Sequence, residues 1–383
     1  MVRNSAGMTR RQVLQALGLA GAAAWSPLGA WANPAGRKLG VALVGLGGYS
    51  RDLLAPALQL TRHCRLAGIV TGSPHKIPEW QQRYGIPEGN VYDYDGLHRI
   101  ADNPDIDVVY IVTPNHLHKP LAITGAEAGK HVWCEKPMAM DAAEGEAMVA
   151  ACRRKRVRLA IGYRMQHEPN TRRFMAMARE RPFGNIRTLQ AHAGFDGFRH
   201  GGSDAWRLDP ARGGGALYDM GVYALNAARY CTGLEPISVS ATQHTTRPDI
   251  FRGVDETMRF QLQFPEGIVA DCSTSFGENM NQLRVDCKNG WYEMSPFQDY
   301  EGNAGKASDG TVFNPTLGPK PHMQAEQMDQ DALAILSGAP LRAPGEEGVR
   351  DLRVIDAIFA SAKKDGASMT IGRGQSNVRA GEG

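Results

Sequence analysis

The chain has 383 residues, 42% hydrophobic and 22% charged, a balance that predicts a globular protein with room for two domains, each with its own core. Its formal net charge of +3 gives no argument for a nucleic-acid partner, and no Lys/Arg run shares a face with interleaved aromatics. Beyond the N-terminus, no apolar run approaches the ~20 residues that span a bilayer.

The first 32 residues read as a targeting segment, set apart from the fold. Arg3 and the run Thr9-Arg10-Arg11-Gln12-Val13-Leu14 form its charged part. Leu14 to Trp25 is a mild, Ala/Gly-rich apolar stretch, and Ala30-Trp31-Ala32 is a small-x-small cleavage site. Paired arginines before so weak an apolar segment resemble a twin-arginine export signal, whose machinery carries proteins already folded. An amphipathic helix or membrane anchor is the alternative. Cleavage after Ala32 predicts a periplasmic chain beginning at Asn33. Cys64, Cys134, Cys152, Cys231, Cys272 and Cys287 show neither CxxC nor metal-ligand spacing. They are expected as buried small hydrophobes, and no metal site is expected.

From residue 33 to 160 the pattern is βα alternation, which predicts a doubly wound parallel sheet. Its first unit carries the most information. An apolar strand, Leu39 to Val44, runs into Gly45-Leu46-Gly47-Gly48-Tyr49-Ser50 and then into helical spacing at Leu53, Leu54, Ala57 and Leu58. Strand, glycine turn and helix in that order predict a dinucleotide site. Gly45 allows the tight turn, Gly47 lets backbone approach a pyrophosphate, and the helix N-terminus supplies free N–H groups. Ser50 replaces the third glycine. Further strands are expected at Arg65 to Val70, Asp107 to Val112, His131 to Cys134 and Val157 to Ile161, with helices at Leu117 to Ala128 and Asp141 to Arg153.

Residues 161 to 383 follow a different grammar, that of an α+β domain with a large, mainly antiparallel open sheet. Helices are expected at Pro169 to Arg179, Gly215 to Cys231, Met323 to Leu336 and Gly348 to Ala362. Strands are expected at Ile186 to Phe195, Ile237 to Gln243, Glu256 to Phe264, Ile268 to Phe276 and Leu283 to Cys287, with a hairpin turn at Asn289-Gly290. Pro296 to Pro321 and the tail after Ile371 read as loop. The open sheet has a face to cover, which predicts a homo-oligomer, a dimer or tetramer.

An acid usually follows the second strand of such a fold to hold the ribose hydroxyls of NAD. Here no acid occurs between Asp52 and Glu79, and the strand ends in Thr71-Gly72-Ser73-Pro74-His75-Lys76. A hydroxyl and a cation suit a 2′-phosphate, so Ser73 and Lys76 predict NADP. The bland alternative is a solvated loop lysine. Thr113-Pro114-Asn115-His116-Leu117-His118 follows the third main strand at the carboxyl edge where ligands bind, and supplies Thr113, Pro114, Asn115 and His118 as cofactor contacts. Cys134-Glu135-Lys136-Pro137 lies at the next strand's end, where the Lys136 charge would stabilise a forming alkoxide. Asp219 and Tyr223, four apart after Gly213-Gly214-Gly215, share a helix face that binds a hydroxyl and exchanges its proton.

Together these segments, with Gly162-Tyr163-Arg164, Trp206-Arg207-Leu208 and Pro344 to Val349, resemble the glucose–fructose oxidoreductase branch of the Gfo/Idh/MocA family over Leu39 to Ala362. Tyr223 stands where the wider family often carries histidine. The resemblance implies tightly bound NADP and sugars as small-molecule substrates. An aldose is oxidised to its lactone, and the hydride then passes to a second sugar. It also implies Lys136, Asp219 and Tyr223 as the catalytic set. Tyr163 and Arg164 join them around substrate, and Glu135, Lys136, Arg164, Trp206 and Arg207 lie toward the cofactor. Three alternatives stay open: a sugar or polyol dehydrogenase with exchangeable NADP, a nicotinamide-dependent glycosidase, and a sugar-sensing binding protein.

Overall fold

The computed structural model describes residues 36–198 and 205–372. Residues 1–32, where the sequence predicts an export signal, and the tail beyond 372 lie outside the described residues.

The first sheet has six strands: β1 (Leu39–Val44), β2 (Cys64–Val70), β3 (Val91–Tyr92), β4 (Val108–Ile111), β5 (His131–Cys134) and β6 (Leu159–Ile161). Their order is β3-β2-β1-β4-β5-β6 and every pairing is parallel. Every residue of β1 and β4 is buried, as expected of strands covered on both faces. Strand order reverses at β1, so the crevice beyond the carboxyl ends of β1 and β4 is the ligand position of this architecture. The covering helices are α1 (Ala55–Leu58), α2 (Ile77–Tyr84), α3 (His118–Glu127) and α4 (Ala142–Lys155). Asp141 starts α4 by accepting the Glu144 N–H at 2.8 Å, which satisfies one of the donors a helix start leaves unpaired.

The second sheet has nine strands, in the order β14-β13-β12-β11-β7-β10-β9-β8-β15. They are β7 (Ile186–Gly194), β8 (Ser238–His244), β9 (Thr257–Gln263), β10 (Val269–Ser275), β11 (Met280–Cys287), β12 (Gly290–Met294), β13 (Gly305–Ala307), β14 (Val312–Phe313) and β15 (Met369–Thr370). All its pairings are antiparallel except β7 with β10. One face is covered by α5 (Pro169–Glu180) and α6 (Val222–Thr232), where Leu225 and Ala228 share a core with Leu189, Ala191 and Ala270. The other face presents Arg259, Gln261 and Asp271 to solvent. The hairpin at Asn289-Gly290 is present, pairing Cys287 with Gly290.

Two features depart from the sequence reading. The stretch 296–321 is not all loop, since it holds β13 and β14, strands too short to show a period. Helix α7 (His322–Ser337), counted above with the second domain, packs on the first sheet. Its Met328 and Ala332 join Leu43, Tyr110 and Trp133, and its Asp329 carboxylate accepts the Arg62 and His63 N–H groups at 2.8 Å. Helix α8 (Gly345–Ala362) then lies against α4 at Gly145, where a Cβ would come within 2.9 Å of Leu352. The chain thus crosses back to its first domain, and the two lobes share helices. All six cysteines are free, and five are buried.

Candidate active site

The nucleotide end is built almost wholly from backbone. Gly45 has φ +101°, and a Cβ there would lie 2.6 Å from the Val112 carbonyl oxygen, so only glycine fits. Ser50 is fully buried, and its Oγ donates to the Gly45 carbonyl at 2.6 Å. Its hydroxyl therefore locks the turn from beneath rather than facing a ligand. The helix opens as a π turn, Ser50–Leu54, before settling into α1. At Gly47, by contrast, a Cβ would meet nothing within 4 Å. No protein neighbour requires glycine there, and the space suits a pyrophosphate against backbone. Lys76 reaches across and donates to the Leu46 carbonyl at 2.9 Å, which sets its ammonium over the turn. Ser73 lies beside it, its N–H donating to Thr71 Oγ1. At the β4 end, Thr113 Oγ1 is buried with no protein partner. These residues fit a dinucleotide with a phosphorylated ribose.

Four predicted contacts have structural duties of their own. Asn115 donates from Nδ2 to the Gly213 carbonyl at 2.7 Å, joining the β4 loop to the glycine run before α6. His118 places Nδ1 against the Pro137 carbonyl and Nε2 against that of Thr113, at 2.9 and 2.8 Å, so it ties the Glu135-Lys136-Pro137 loop to the β4 loop. Glu135 is buried under Gly162 and accepts from the Tyr110 hydroxyl at 2.7 Å, and burial holds its carboxyl above the usual range. Tyr163 is buried with its phenol on Asp351, inside a network where Arg229 meets both Asp351 and Glu347. Its phenol is engaged by α8 through Asp351.

The chemical end is a cluster of side chains. Lys136 Nζ donates to the main-chain carbonyl of Asp219 at 2.6 Å and stands 3.5 Å from its carboxylate. The same ammonium lies 4.7 Å from the centre of the Tyr223 ring. Arg207 Nε holds the other Asp219 oxygen at 2.9 Å, while its guanidinium stacks 4.5 Å from Trp206. Asp219 sits in a π turn, Leu217–Gly221, that precedes α6. Its start is fixed by the Asp255 carboxylate, which accepts the Leu217 N–H, and a Cβ on Gly215 would collide with that carboxylate. Burial pushes the Asp255 carboxyl up to about 6.

Charge decides the protonation states. Burial works to raise the Asp219 pKa, but Lys136 and Arg207 outweigh it and hold the group below its ordinary range. Burial likewise works against ionising Tyr223, yet Lys136 and Arg164 prevail and lower its phenol. A second phenol, that of Tyr300, has its ring centre 4.1 Å from the Arg164 guanidinium, and burial followed by the charge of Tyr223 pushes it up. Tyr49, from the glycine turn, completes the wall 6.3 Å from the Tyr300 ring. Tyr300 was not singled out by sequence. It lies in a stretch without periodicity, and no spacing ties it to Arg164.

Comparison with known proteins identifies the family. Residues 39–163 match the oxidoreductase family with NAD-binding Rossmann fold, and residues 171–293 match the GFO/IDH/MocA C-terminal domain. The aldose–aldose oxidoreductase of Caulobacter crescentus is 40% identical, with TM-score 0.81, covering 87% of this chain and 100% of that one. The D-xylose 1-dehydrogenase (NADP(+)) 2 of Haloferax volcanii is 30% identical over 85% of this chain and 98% of its own. The D-xylose 1-dehydrogenase [NADP(+)] of Haloarcula marismortui is 28% identical over 85% and 91% respectively.

Proposed function

Because the chain belongs to the Gfo/Idh/MocA oxidoreductase family, we propose that it is an exported sugar oxidoreductase that keeps NADP bound through turnover. In this reading it oxidises an aldose at the anomeric carbon to the lactone and then reduces a second sugar to a polyol. The observation that carries the reading is the single ammonium of Lys136, set between the Asp219 carboxylate and the Tyr223 ring.

Ser73 and Lys76 would hold the 2′-phosphate of NADP, and the cofactor would supply the hydride acceptor in the first half-reaction and the donor in the second. Asp219, fixed by Arg207 and Lys136, accepts a sugar hydroxyl and orients the anomeric carbon. Tyr223 takes the proton from the anomeric hydroxyl as the C–H bond breaks, and Lys136 stabilises the negative charge on that oxygen. In the return direction the Tyr223 phenol delivers a proton to the carbonyl oxygen of the second sugar. A phenol with its ordinary pKa near ~10 would be a poor base near neutrality, and the two cations beside it correct this.

The absence of an acid between Asp52 and Glu79, and the place of Lys76 above the turn, favour NADP. Two relatives of this chain carry NADP(+) in their names. Export follows from the twin-arginine pattern at Arg10-Arg11, and it explains why the cofactor would be retained. Free NADP is scarce outside the cytoplasm, so an exported enzyme must regenerate what it carries. The open polar face of the second sheet supports pairing with a second copy, as a dimer or tetramer.

Protein purified without added nucleotide is mixed with single aldoses, and the absorbance of bound nicotinamide is followed. Reduction by an aldose, then reoxidation by a second sugar, is the expected result. Nucleotide-free protein that turns over only with added NADP would point to a sugar dehydrogenase with exchangeable cofactor, the reading favoured by the xylose dehydrogenase relatives. A monomeric mass at micromolar concentration would remove the oligomer.

A further inference from the structure

Arg164 is 2% exposed, yet among the described residues it makes no salt bridge. Its hydrogen bonds go to the main-chain carbonyls of Gln298 and Asp299, the side-chain carbonyl of Gln298, the sulfurs of Met165 and Met323, and the Tyr223 phenol. Of these partners only the Tyr223 phenol can take up negative charge. A buried guanidinium without a counter-ion is costly, and any neighbour able to acquire negative charge relieves that cost. Its carbon stands 5.3 Å from the centre of the Tyr223 ring and 4.1 Å from that of Tyr300. Both rings carry phenols, the Glu135 carboxyl also lies within its field, and of the two phenols Tyr223 alone has a second cation at hand, Lys136.

We propose that Arg164 is a positioning residue for proton transfer at Tyr223, clamped between the rings of Tyr223 and Tyr300 and fastened at its far end to the 298–299 backbone. This rests on Tyr223 being the acid–base group of the proposed reaction. Lys136 and Arg164 divide the labour. Lys136 is already engaged with the carbonyl and carboxylate of Asp219 and faces the sugar oxygen, whereas Arg164 holds no carboxylate in a salt bridge and hydrogen-bonds the phenol itself.

The other charged or titratable groups around Tyr223 are Glu135 from the end of β5, Asp219 from its own helix, Tyr300 from the 295–300 loop and Tyr49 from the glycine turn. Glu135 opposes ionisation of Tyr223, and Tyr300 is itself driven up once Tyr223 ionises. The guanidinium favours ionisation of either ring, and Lys136 beside Tyr223 decides that Tyr223 takes the charge while Tyr300 stays a donor.

The test follows the rate of nicotinamide reduction by aldose across pH, in the full-length protein with its nucleotide. Oxidation needs the Tyr223 phenolate, so the rate rises with pH through the Tyr223 pKa. In Arg164→Gln this limb is expected to move to higher pH by about one unit or more. That gives about a tenfold loss near neutrality, recovered in alkali. Arg164→Lys, which keeps the charge but loses the fork, is expected to hold the limb within about half a unit while lowering the maximum. Tyr300→Leu removes a half-buried ring, leaves the anchoring carbonyls in place, and is expected to shift the limb the same way by less. It carries the test if the glutamine variant does not fold. Limbs unmoved in Arg164→Gln or, failing that, Tyr300→Leu, with Tyr223→Phe inactive, would overturn the role of Arg164. Turnover surviving in Tyr223→Phe would instead overturn the assignment of Tyr223.

Discussion

The two ends of the cleft are made of different materials. The nucleotide end comes mainly from one continuous segment, 39–76, joined by Thr113 at the end of β4, and works largely through main-chain shape. Gly45 is forced by a carbonyl, Ser50 locks the turn, and Gly47 leaves space. The chemical end comes from five separate segments, at Glu135-Lys136, Arg164, Trp206-Arg207, Asp219 to Tyr223, and Tyr300. It works through side-chain charge. The contrast shows that binding a common cofactor needs only a shape the backbone can adopt, whereas setting a phenol's acidity needs charges brought from distant parts of the chain.

That contrast can be broken or sharpened by substitution. The largest effect is expected at the chemical end. Tyr223→Phe should reduce sugar-dependent turnover about 10²- to 10⁴-fold while bound nucleotide is retained. Loss of nucleotide together with activity would show that the two ends are not separable. Gly47→Val should do the reverse. A Cβ there meets no protein atom within 4 Å, so the chain should purify without nucleotide and melt where nucleotide-stripped wild-type protein melts. Melting well below the stripped wild-type protein would mean that the glycine serves the fold. A smaller change is expected from Lys76→Glu, which should lower the preference for NADP over NAD by about tenfold or more through repulsion of the 2′-phosphate, read by competitive binding. The smallest comes from Asn115→Ala, which removes the bond joining the two ends. A cost of about 1–2 kcal/mol should appear as a melting shift of a few degrees, with little change in preference for either cofactor.

Legibility in the sequence follows the same division. The strand–glycine–helix unit and the βα alternation can be read directly, because a period and a turn are local properties. Lys136, Asp219 and Tyr223 stand out through strand-end position and helical spacing. Arg164 is legible only as a pocket residue, since nothing local shows that its charge lacks a counter-ion. Tyr300 is illegible, lying in an aperiodic stretch whose path is set by two carbonyls on Arg164. Asn115 and His118 lie where contacts were expected, but each spends its polar atoms on neighbouring backbone. The return of α7 to the first sheet is hidden for a similar reason. Its apolar stripe states that it packs, not against which sheet.

The π turn at Leu217–Gly221 carries one more consequence. A wide turn holds an extra residue compared with the regular coil, and each residue in a helix advances the direction of its side chain by about 100°. Shortening this turn by a single position would swing Asp219 off the face it shares with Tyr223 without altering either letter. The segment should therefore tolerate many changes of spelling but no change of length, and single-codon deletions through it should be far more damaging than the mildest substitutions at the same sites.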